Sequence, residues 1–196
     1  MIKITLPDGS IKEFEKNSTP FDVAKSISEG LARNIISASF NGITVETTTP
    51  LTTDGSLILY TFNDNEGKKA FWHSSAHVLA EAILSFHPNA KLTIGPAIDN
   101  GFYYDLDLGE ETISEKDFSA IEKKFLEIAR GKHQFKMREV SKADALSLYK
   151  EENNPYKVEL IENLTDGDIT FCDHSNFTDL CRGGHIPNTG IIKAIK

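Results

Sequence analysis

The sequence predicts an α+β protein made of two parts, and three features of the chain support this prediction. Short strand-like runs dominate residues 1–62, whereas alternating helical and strand-like segments fill the rest of the 196 residues. Between the two parts, residues 63–67 form a polar, turn-rich stretch of the kind that joins domains. We therefore predict a small domain at residues 1–62 and a larger α+β domain at residues 63–196.

The first part has the pattern of a β-grasp, ubiquitin-like domain. Residues 2–6 alternate as a strand does, and Asp8-Gly9 signals a tight turn before a returning strand at 11–14. A helix follows, with Pro20 in its first turn and Gly30 at its predicted exit. Three further strands are predicted at 36–40, 43–46 and 56–62. We find no catalytic cluster here, so a docking or RNA-contacting module and a plain scaffold remain the alternatives.

The second part opens with a helix that carries His73 and His77. Because the two residues are four positions apart, their imidazoles lie on one face of the helix, one turn apart. Two imidazoles in this arrangement suit metal binding or acid–base chemistry. Two structural histidines with satisfied hydrogen bonds are the alternative.

The middle of the chain adds a strand and an amphipathic helix. We predict a strand at 102–106, whose Tyr103 and Tyr104 would point to opposite faces. We predict a helix at 114–130, in which Ser114 and Asp117 form a capping box. The spacing of its apolar residues predicts a buried stripe of Phe118, Ile121, Phe125 and Ile128.

A second cluster of reactive side chains lies near the C-terminus. If residues 177–181 form a regular strand, Asp179 and Cys181 share one face of it. A turn through Gly183-Gly184 then presents His185, and the glycines could leave backbone amides available for an oxyanion. Lys157 reads as an ordinary surface lysine from composition alone.

Three chemistries are open to these residues. Zinc prefers nitrogen and sulfur ligands, and the chain offers four such donors in His73, His77, Cys181 and His185. Alternatively, a histidine and a lysine in a dry pocket could activate a water that attacks an ester, without a metal. A Cys181 nucleophile paired with His185 is the weakest of the three, because a Gly-Gly turn does not assure their geometry.

The composition is that of a soluble globular protein. Hydrophobic residues make up 39% and charged residues 26%, and no apolar run approaches the ~20 residues that span a bilayer. The N-terminus lacks the apolar core of a signal peptide, so we expect a cytoplasmic protein with two reduced cysteines. A net charge of −8 argues against broad nucleic-acid binding. The basic run within 123–138 is a phosphate-contacting edge or a solvated helix face.

The chain resembles the N-terminal region of bacterial-type threonyl-tRNA synthetases. Residues 1–62 resemble their TGS domain, and the residues from about 63 resemble the editing domain shared with alanyl-tRNA editing proteins. The motifs that carry the resemblance are His73-Ser74-Ser75-Ala76-His77, residues 94–105, Pro155-Tyr156-Lys157 and residues 179–190. One departure is Gly184, where the family usually has proline.

The resemblance implies hydrolysis of seryl-tRNA(Thr) formed by mischarging. Serine differs from threonine by one methyl group, worth about 1–3 kcal/mol, so a synthetic site alone cannot reject it strongly enough. By resemblance, His73 and Lys157 activate water, and His77 and His185 bind the terminal ribose and the ester. The substrate-binding residues implied are Asp179 for the serine amine, Cys181 for the shape of the pocket, and Tyr104.

The resemblance also implies the cofactors and partners. The editing site is expected to need no metal. ATP, magnesium and a zinc ion belong to the aminoacylation core of these synthetases, and we expect that core to be absent from this chain. We therefore expect no tRNA charging by the chain itself. The expected partners are tRNA(Thr) carrying serine and the remainder of a synthetase that dimerises through its core, with no membrane. The alternatives are a non-catalytic tRNA-binding or RNA-binding module and a zinc-dependent hydrolase like the alanyl-tRNA editing proteins.

Overall fold

The computed structural model describes residues 1–195 and divides them into two compact units. The first unit comprises Met1–Phe71 together with Gly183–Pro187, and the second comprises Trp72–Arg182 together with the residues from Asn188 onward. The domain boundary predicted between residues 62 and 63 stays a prediction. None of the helices in the described residues has the length and apolar character that crossing a membrane requires.

The first unit has the predicted β-grasp fold. Its strands are β1 (Ile2–Thr5), β2 (Ile11–Phe14), β3 (Ile35–Phe40), β4 (Ile43–Val45) and β5 (Gly55–Thr61). They form one sheet in the order β2-β1-β5-β3-β4, in which β1 and β5 are parallel and the other neighbours are antiparallel. The α+β fold class predicted from the sequence is confirmed.

Two short helices, α1 (Pro20–Ile27) and α2 (Glu29–Asn34), accompany this sheet. The predicted exit at Gly30 is wrong, because Ser28 both ends α1 and starts α2. The Ser28 backbone amide donates to the Ala24 carbonyl, while its hydroxyl accepts from the Leu31 amide at 3.0 Å. Gly30 therefore lies inside α2 rather than at a helix end.

The second unit combines helices with small antiparallel sheets. Helix α3 (Asn65–Leu84) runs into it from the first unit, and the later helices are α4 (Glu115–Arg130), α5 (Lys142–Glu151) and α6 (Pro155–Glu162). The largest sheet has the order β10 (Lys136–Glu139), β11 (Thr170–His174), β12 (Phe177–Leu180). Two smaller pairs are β6 (Lys91–Leu92) with β9 (Leu106–Asp107), and β7 (Ala97–Ile98) with β8 (Gly101–Phe102).

Helix α3 begins earlier than the sequence predicts, inside the polar stretch 63–67. The Asp64 carboxylate accepts the Thr61 backbone amide at 2.7 Å, and the Asp64 carbonyl accepts the Lys68 amide at 2.9 Å. Gly67 lies within the helix, and a β-carbon at this position would lie 1.9 Å from the Thr61 carbonyl oxygen. The glycine thus marks a close backbone approach rather than a turn.

Two further predictions in the second unit are wrong in part. Phe118 is 57% exposed, so the buried stripe of α4 starts one turn later and runs through Ile121, Phe125 and Ile128. The predicted strand at 102–106 is interrupted, because β8 ends at Phe102 and β9 starts at Leu106. Tyr103 and Tyr104 lie in the connection between these strands. The capping box of Ser114 and Asp117 is confirmed, with the Ser114 amide 2.8 Å from the Asp117 carboxylate.

The core of the first unit supplies a test of its packing. Leu57 on β5 is fully buried among Ile4, Val23 and other apolar side chains. We predict that Leu57→Ala lowers the free energy of unfolding by about 2–5 kcal/mol, because the lost contacts leave a cavity. Ile58→Ala is the control, since Ile58 is 42% exposed. Equal losses for both variants in urea unfolding would contradict this packing.

Candidate active site

A cavity of about 390 Å³ opens in the second unit. Helices α3 and α6 and the end of β12 contribute to its lining. Six of the seven predicted site residues line it, namely His73, His77, Tyr104, Lys157, Asp179 and Cys181. The structure therefore brings together residues that are up to 108 positions apart in the chain.

One side of the cavity holds a cluster of nitrogen and sulfur donors. The Nε2 atoms of His73 and His77 are 3.1 Å apart, as expected for two side chains one turn apart on α3. The Sγ atom of Cys181 lies 3.4 Å from His73 Nε2. Cys181 is held just after β12 by its amide, which donates to the Thr170 carbonyl at 3.0 Å. Both cysteines of the chain, Cys172 and Cys181, are buried thiols rather than disulfide partners.

The other side of the cavity holds a buried ion pair. Lys157 Nζ lies 2.5 Å from Asp179 Oδ1, and the two side chains are only 2% and 5% exposed. The burial of Lys157 contradicts the expectation from composition that it is an ordinary surface lysine. It agrees with the place of Lys157 in the Pro155-Tyr156-Lys157 motif. Asn154 sets the start of α6, since its Oδ1 accepts the Lys157 amide and its Nδ2 donates to the Leu92 carbonyl at 2.9 Å.

Two tyrosines complete the surroundings of Asp179. The Tyr104 hydroxyl donates to Asp179 Oδ2 at 2.5 Å, and the Tyr149 hydroxyl lies 3.4 Å from Oδ1. The Tyr149 oxygen also accepts the Leu180 amide at 2.9 Å, which ties α5 to β12. Sequence reasoning missed Tyr149. Its spacing of four residues from the buried Ala145 on α5 is the signal that could have found an inward-facing side chain.

Burial and the nearby carboxylate keep both tyrosines protonated. Burial first, and the charge of Asp179 second, hold the pKa of Tyr104 well above its usual range. The same two causes raise the pKa of Tyr149. Burial and Asp179 also raise the pKa of Glu152, against the opposing effect of Lys157. Tyr104 and Tyr149 therefore act as hydrogen-bond donors near neutral pH and not as bases.

His185 belongs to the first unit, where its side chain is fully buried. Its Nδ1 lies 3.0 Å from Glu46 Oε1, and its backbone amide lies 3.1 Å from Glu46 Oε2. The Gly184 amide donates to Glu46 Oε1 at 3.1 Å. We expected the backbone amides of this turn to be available to a substrate oxyanion. This expectation is wrong for Gly184 and His185, because their amides donate to the Glu46 carboxylate.

The Gly183-Gly184 turn explains the departure from proline. Gly183 has a φ of 90° and Gly184 has a φ of 85°, a left-handed region that glycine adopts readily. Proline is restricted to a φ of about −65° and has no amide hydrogen. Proline at residue 184 would therefore need a different backbone and would lose the hydrogen bond to Glu46.

The donors of the second unit fit a zinc ion. Tetrahedral zinc with bonds of 2.0–2.3 Å places its ligand atoms about 3.3–3.8 Å apart. The ligand atoms of His73, His77 and Cys181 all lie within 4.8 Å of one another. These three residues could hold zinc, which would supply Lewis acidity for a carbonyl or a bound water.

The ion pair allows a test by stability. Removing one partner of a buried pair leaves the other charge uncompensated, which costs about 3–5 kcal/mol. We predict losses of that size for Lys157→Met and for Asp179→Asn, measured by chemical unfolding. The double variant should recover most of the loss because it buries no charge. Additive losses in the double variant would show that the two residues do not interact.

The tyrosines allow a test by pH. A tyrosine whose pKa is raised in the folded chain stabilises the fold at any pH below its pKa in the unfolded chain, which is near 10. That stability is lost as the pH rises above the pKa of the unfolded chain. We predict that Tyr149 ionises only when the chain unfolds at alkaline pH. Its tyrosinate absorbance, measured as the difference between the wild-type chain and Tyr149→Phe, should therefore appear together with the loss of structure that circular dichroism follows. Ionisation of Tyr149 in the folded chain, well below that transition, would contradict the assigned contacts.

Two family models match segments of this chain. A model of the TGS domain matches residues 2–61. A model of the threonyl and alanyl tRNA synthetase second additional domain matches residues 169–196, which contain Asp179, Cys181 and His185. The match of the first model to the β-grasp unit agrees with the resemblance drawn from the motifs.

Relatives cover the whole chain. The chain is 70% identical over 196 residues to a threonine–tRNA ligase of Flavobacterium psychrophilum, 54% identical to that of Cytophaga hutchinsonii and 47% identical to that of Bacteroides thetaiotaomicron. Each alignment covers 100% of this chain but 30% of the relative, so the chain spans less than a third of the length of these proteins. The chain is therefore similar over its whole length to part of these threonine–tRNA ligases, and it contains segments that match the TGS domain and the second additional domain of threonyl and alanyl tRNA synthetases.

Proposed function

We propose that the second domain hydrolyses the ester bond of seryl-tRNA(Thr). The observation that carries this proposal is the buried Lys157–Asp179 pair, which lies in one cavity with His73, His77 and Cys181. The relatives are named as threonine–tRNA ligases, which must discriminate between two amino acids that differ by one methyl group. A separate hydrolytic site supplies the discrimination that one methyl group cannot.

The Asp179 carboxylate binds the ammonium group of the serine. A carboxylate has about four acceptor positions. Lys157, Tyr104 and Tyr149 occupy three of them, which leaves one for the substrate. The cavity volume of about 390 Å³ lies at the small end of the range for ligand sites, as a seryl ester requires.

His73 acts as the general base for the attacking water. In the structure its Nε2 shares a hydrogen bond with His77 Nε2. When the ribose of the tRNA takes over the His77 hydrogen bond, the lone pair of His73 becomes available to the water. The water oxygen then attacks the ester carbonyl carbon, and its proton passes to His73 Nε2.

Lys157 stabilises the negative charge that develops on the carbonyl oxygen. Its ammonium group is held in place by Asp179 and is shielded from water, so it donates a charge-assisted hydrogen bond to an oxygen atom that contacts Nζ directly. The tetrahedral intermediate collapses by expelling the ribose oxygen, which takes the proton back from His73. The products are serine and uncharged tRNA. His185 contacts the ester or the ribose, and Cys181 shapes the pocket.

We propose that this reaction needs no metal. The charges of Lys157 and Asp179 offset each other, so the pair as a whole does not strongly attract or repel a cation. A zinc ion with one thiolate ligand would nevertheless add a net positive charge to a confined, otherwise neutral cavity. The base and the oxyanion partner are already present as His73 and Lys157.

Zinc-dependent hydrolysis is the second candidate, and the geometry of the His73, His77 and Cys181 donors favours it. Elemental analysis of chain purified without added metal separates the two mechanisms. We predict substoichiometric zinc and an unchanged rate of deacylation after treatment with a chelator. Stoichiometric zinc, together with activity that is lost on chelation and restored by zinc, would contradict the metal-free mechanism.

Release of serine from preformed seryl-tRNA(Thr) tests the proposed function. We predict that seryl-tRNA(Thr) is hydrolysed about 10–200-fold faster than threonyl-tRNA(Thr), with alanyl-tRNA as a further comparison. His73→Ala should lower the rate by about 10²–10⁴-fold, because it removes the general base.

His87→Ala is the matched control, since His87 pairs with Glu111 and does not line the cavity. Binding of tRNA without any release of serine would instead support a non-catalytic RNA-binding module. The exposed cations Lys123, Arg130 and Lys136 would then be the residues to test for phosphate contacts.

A further inference from the structure

We propose that Glu46, in the segment matched to the TGS domain, positions His185 by holding its imidazole in a single tautomer. The proposal rests on the proposed function, in which His185 contacts the ester or the ribose of the substrate.

Glu46 makes four close contacts with two consecutive residues. Its Oε1 accepts the Gly184 amide at 3.1 Å and lies 3.0 Å from His185 Nδ1. The His185 amide lies 3.1 Å from Oε2 and 3.3 Å from Oε1. The carboxylate thus holds both the backbone and the ring of His185, at the end of a turn whose two glycines give the backbone little stiffness of its own.

The contact is well shielded from water. The His185 side chain is fully buried, and that of Glu46 is 13% exposed. Hydrogen bonds to an ionised carboxylate are stronger than those between neutral groups. A buried cluster of four such contacts therefore restricts the orientation of the imidazole more than packing alone would.

The chemistry of the carboxylate determines the tautomer. An ionised carboxylate can only accept hydrogen bonds, so the hydrogen of the neutral His185 ring must lie on Nδ1. The Nε2 atom then carries a lone pair and no hydrogen. In this state Nε2 is able to accept a hydrogen bond from a hydroxyl group, such as that of the terminal ribose, but not to donate one.

Glu46 lies just beyond β4, 139 positions before His185, and no local pattern links the two residues. Hydrogen-bond partners of metal-ligating histidines set the tautomer and the ring orientation in the same way, and their loss typically lowers metal affinity or activity by 10–100-fold. Glu46 is accordingly a positioning residue rather than a catalytic one, because it contacts His185 and not the substrate.

Nitrogen NMR of the 196-residue chain tests the tautomer without reference to activity. Long-range proton–nitrogen correlations distinguish a protonated ring nitrogen from one that carries a lone pair, and His185→Gln identifies the signals. We expect His185 to carry its hydrogen on Nδ1 in the wild-type chain. A hydrogen on Nε2, or on both nitrogens at neutral pH, overturns the proposal even if seryl-tRNA is hydrolysed.

Glu46→Gln tests the consequence for the reaction. The uncharged amide is a weaker acceptor than the carboxylate for the Nδ1 hydrogen and for the backbone amides of Gly184 and His185, so it holds the ring less firmly while the size of the side chain is preserved. We expect kcat for deacylation of seryl-tRNA(Thr) to fall about 10–100-fold, with KM little changed. Glu46→Asp keeps the charge on a shorter chain and should retain the wild-type tautomer and part of the activity.

Asp54→Asn is the matched control, because the exposed Asp54 carboxylate accepts the Lys3 amide at 2.8 Å in the same unit and does not contact His185. Circular dichroism confirms folding of each variant. If wild-type chain hydrolyses seryl-tRNA(Thr) but Glu46→Gln matches Asp54→Asn in kcat and in the His185 tautomer, the proposal is wrong while the proposed function stands. If wild-type chain releases no serine, the proposed function fails, and the wild-type tautomer still decides whether Glu46 positions His185.

Discussion

The ion pair of Lys157 and Asp179 is the interaction around which the candidate site is arranged. Moving two charges out of water costs several kcal/mol for each ion, and their attraction repays this only with good geometry and additional hydrogen bonds. The structure supplies those bonds through Tyr104 and Tyr149. The connection after β8, helix α5, helix α6 and strand β12 therefore all meet at one carboxylate. A buried pair of this kind contributes little net stability compared with apolar residues of similar volume, so its presence is weak evidence for a role in folding.

The periods of helix and strand place the remaining side chains around this pair. The helical repeat brings the imidazoles of His73 and His77 within 3.1 Å of each other. The alternation along β12 buries Asp179 and leaves Thr178 exposed, and it continues to Cys181, which is buried just after the end of the strand. Local geometry thus produces two small clusters, and tertiary packing brings them into one cavity.

The sequence predicted those features of the structure that depend on residues close together in the chain. The spacing of the histidines and the capping box of α4 depend on neighbours within a few residues, and each is confirmed. The β-grasp fold is also confirmed, although its parallel pair of β1 and β5 joins segments that are distant in the chain. The burial of Lys157 and the role of Tyr149 depend on Asp179, which is 22 and 30 positions away. Composition gives no sign of such partners. The strand predicted at 102–106 failed for a related reason, because Tyr104 leaves the β-structure to reach Asp179.

The central claim is that the buried ion pair acts in ester hydrolysis rather than in holding the fold. The most direct measurement is the single-turnover rate of serine release from seryl-tRNA(Thr) by the Lys157→Met/Asp179→Asn double variant, under conditions where circular dichroism shows it to be folded. If the pair stabilises the oxyanion and binds the amine, this folded variant should hydrolyse the ester about 10²-fold or more slowly than the wild-type chain. A folded double variant that releases serine at the wild-type rate would contradict the claim.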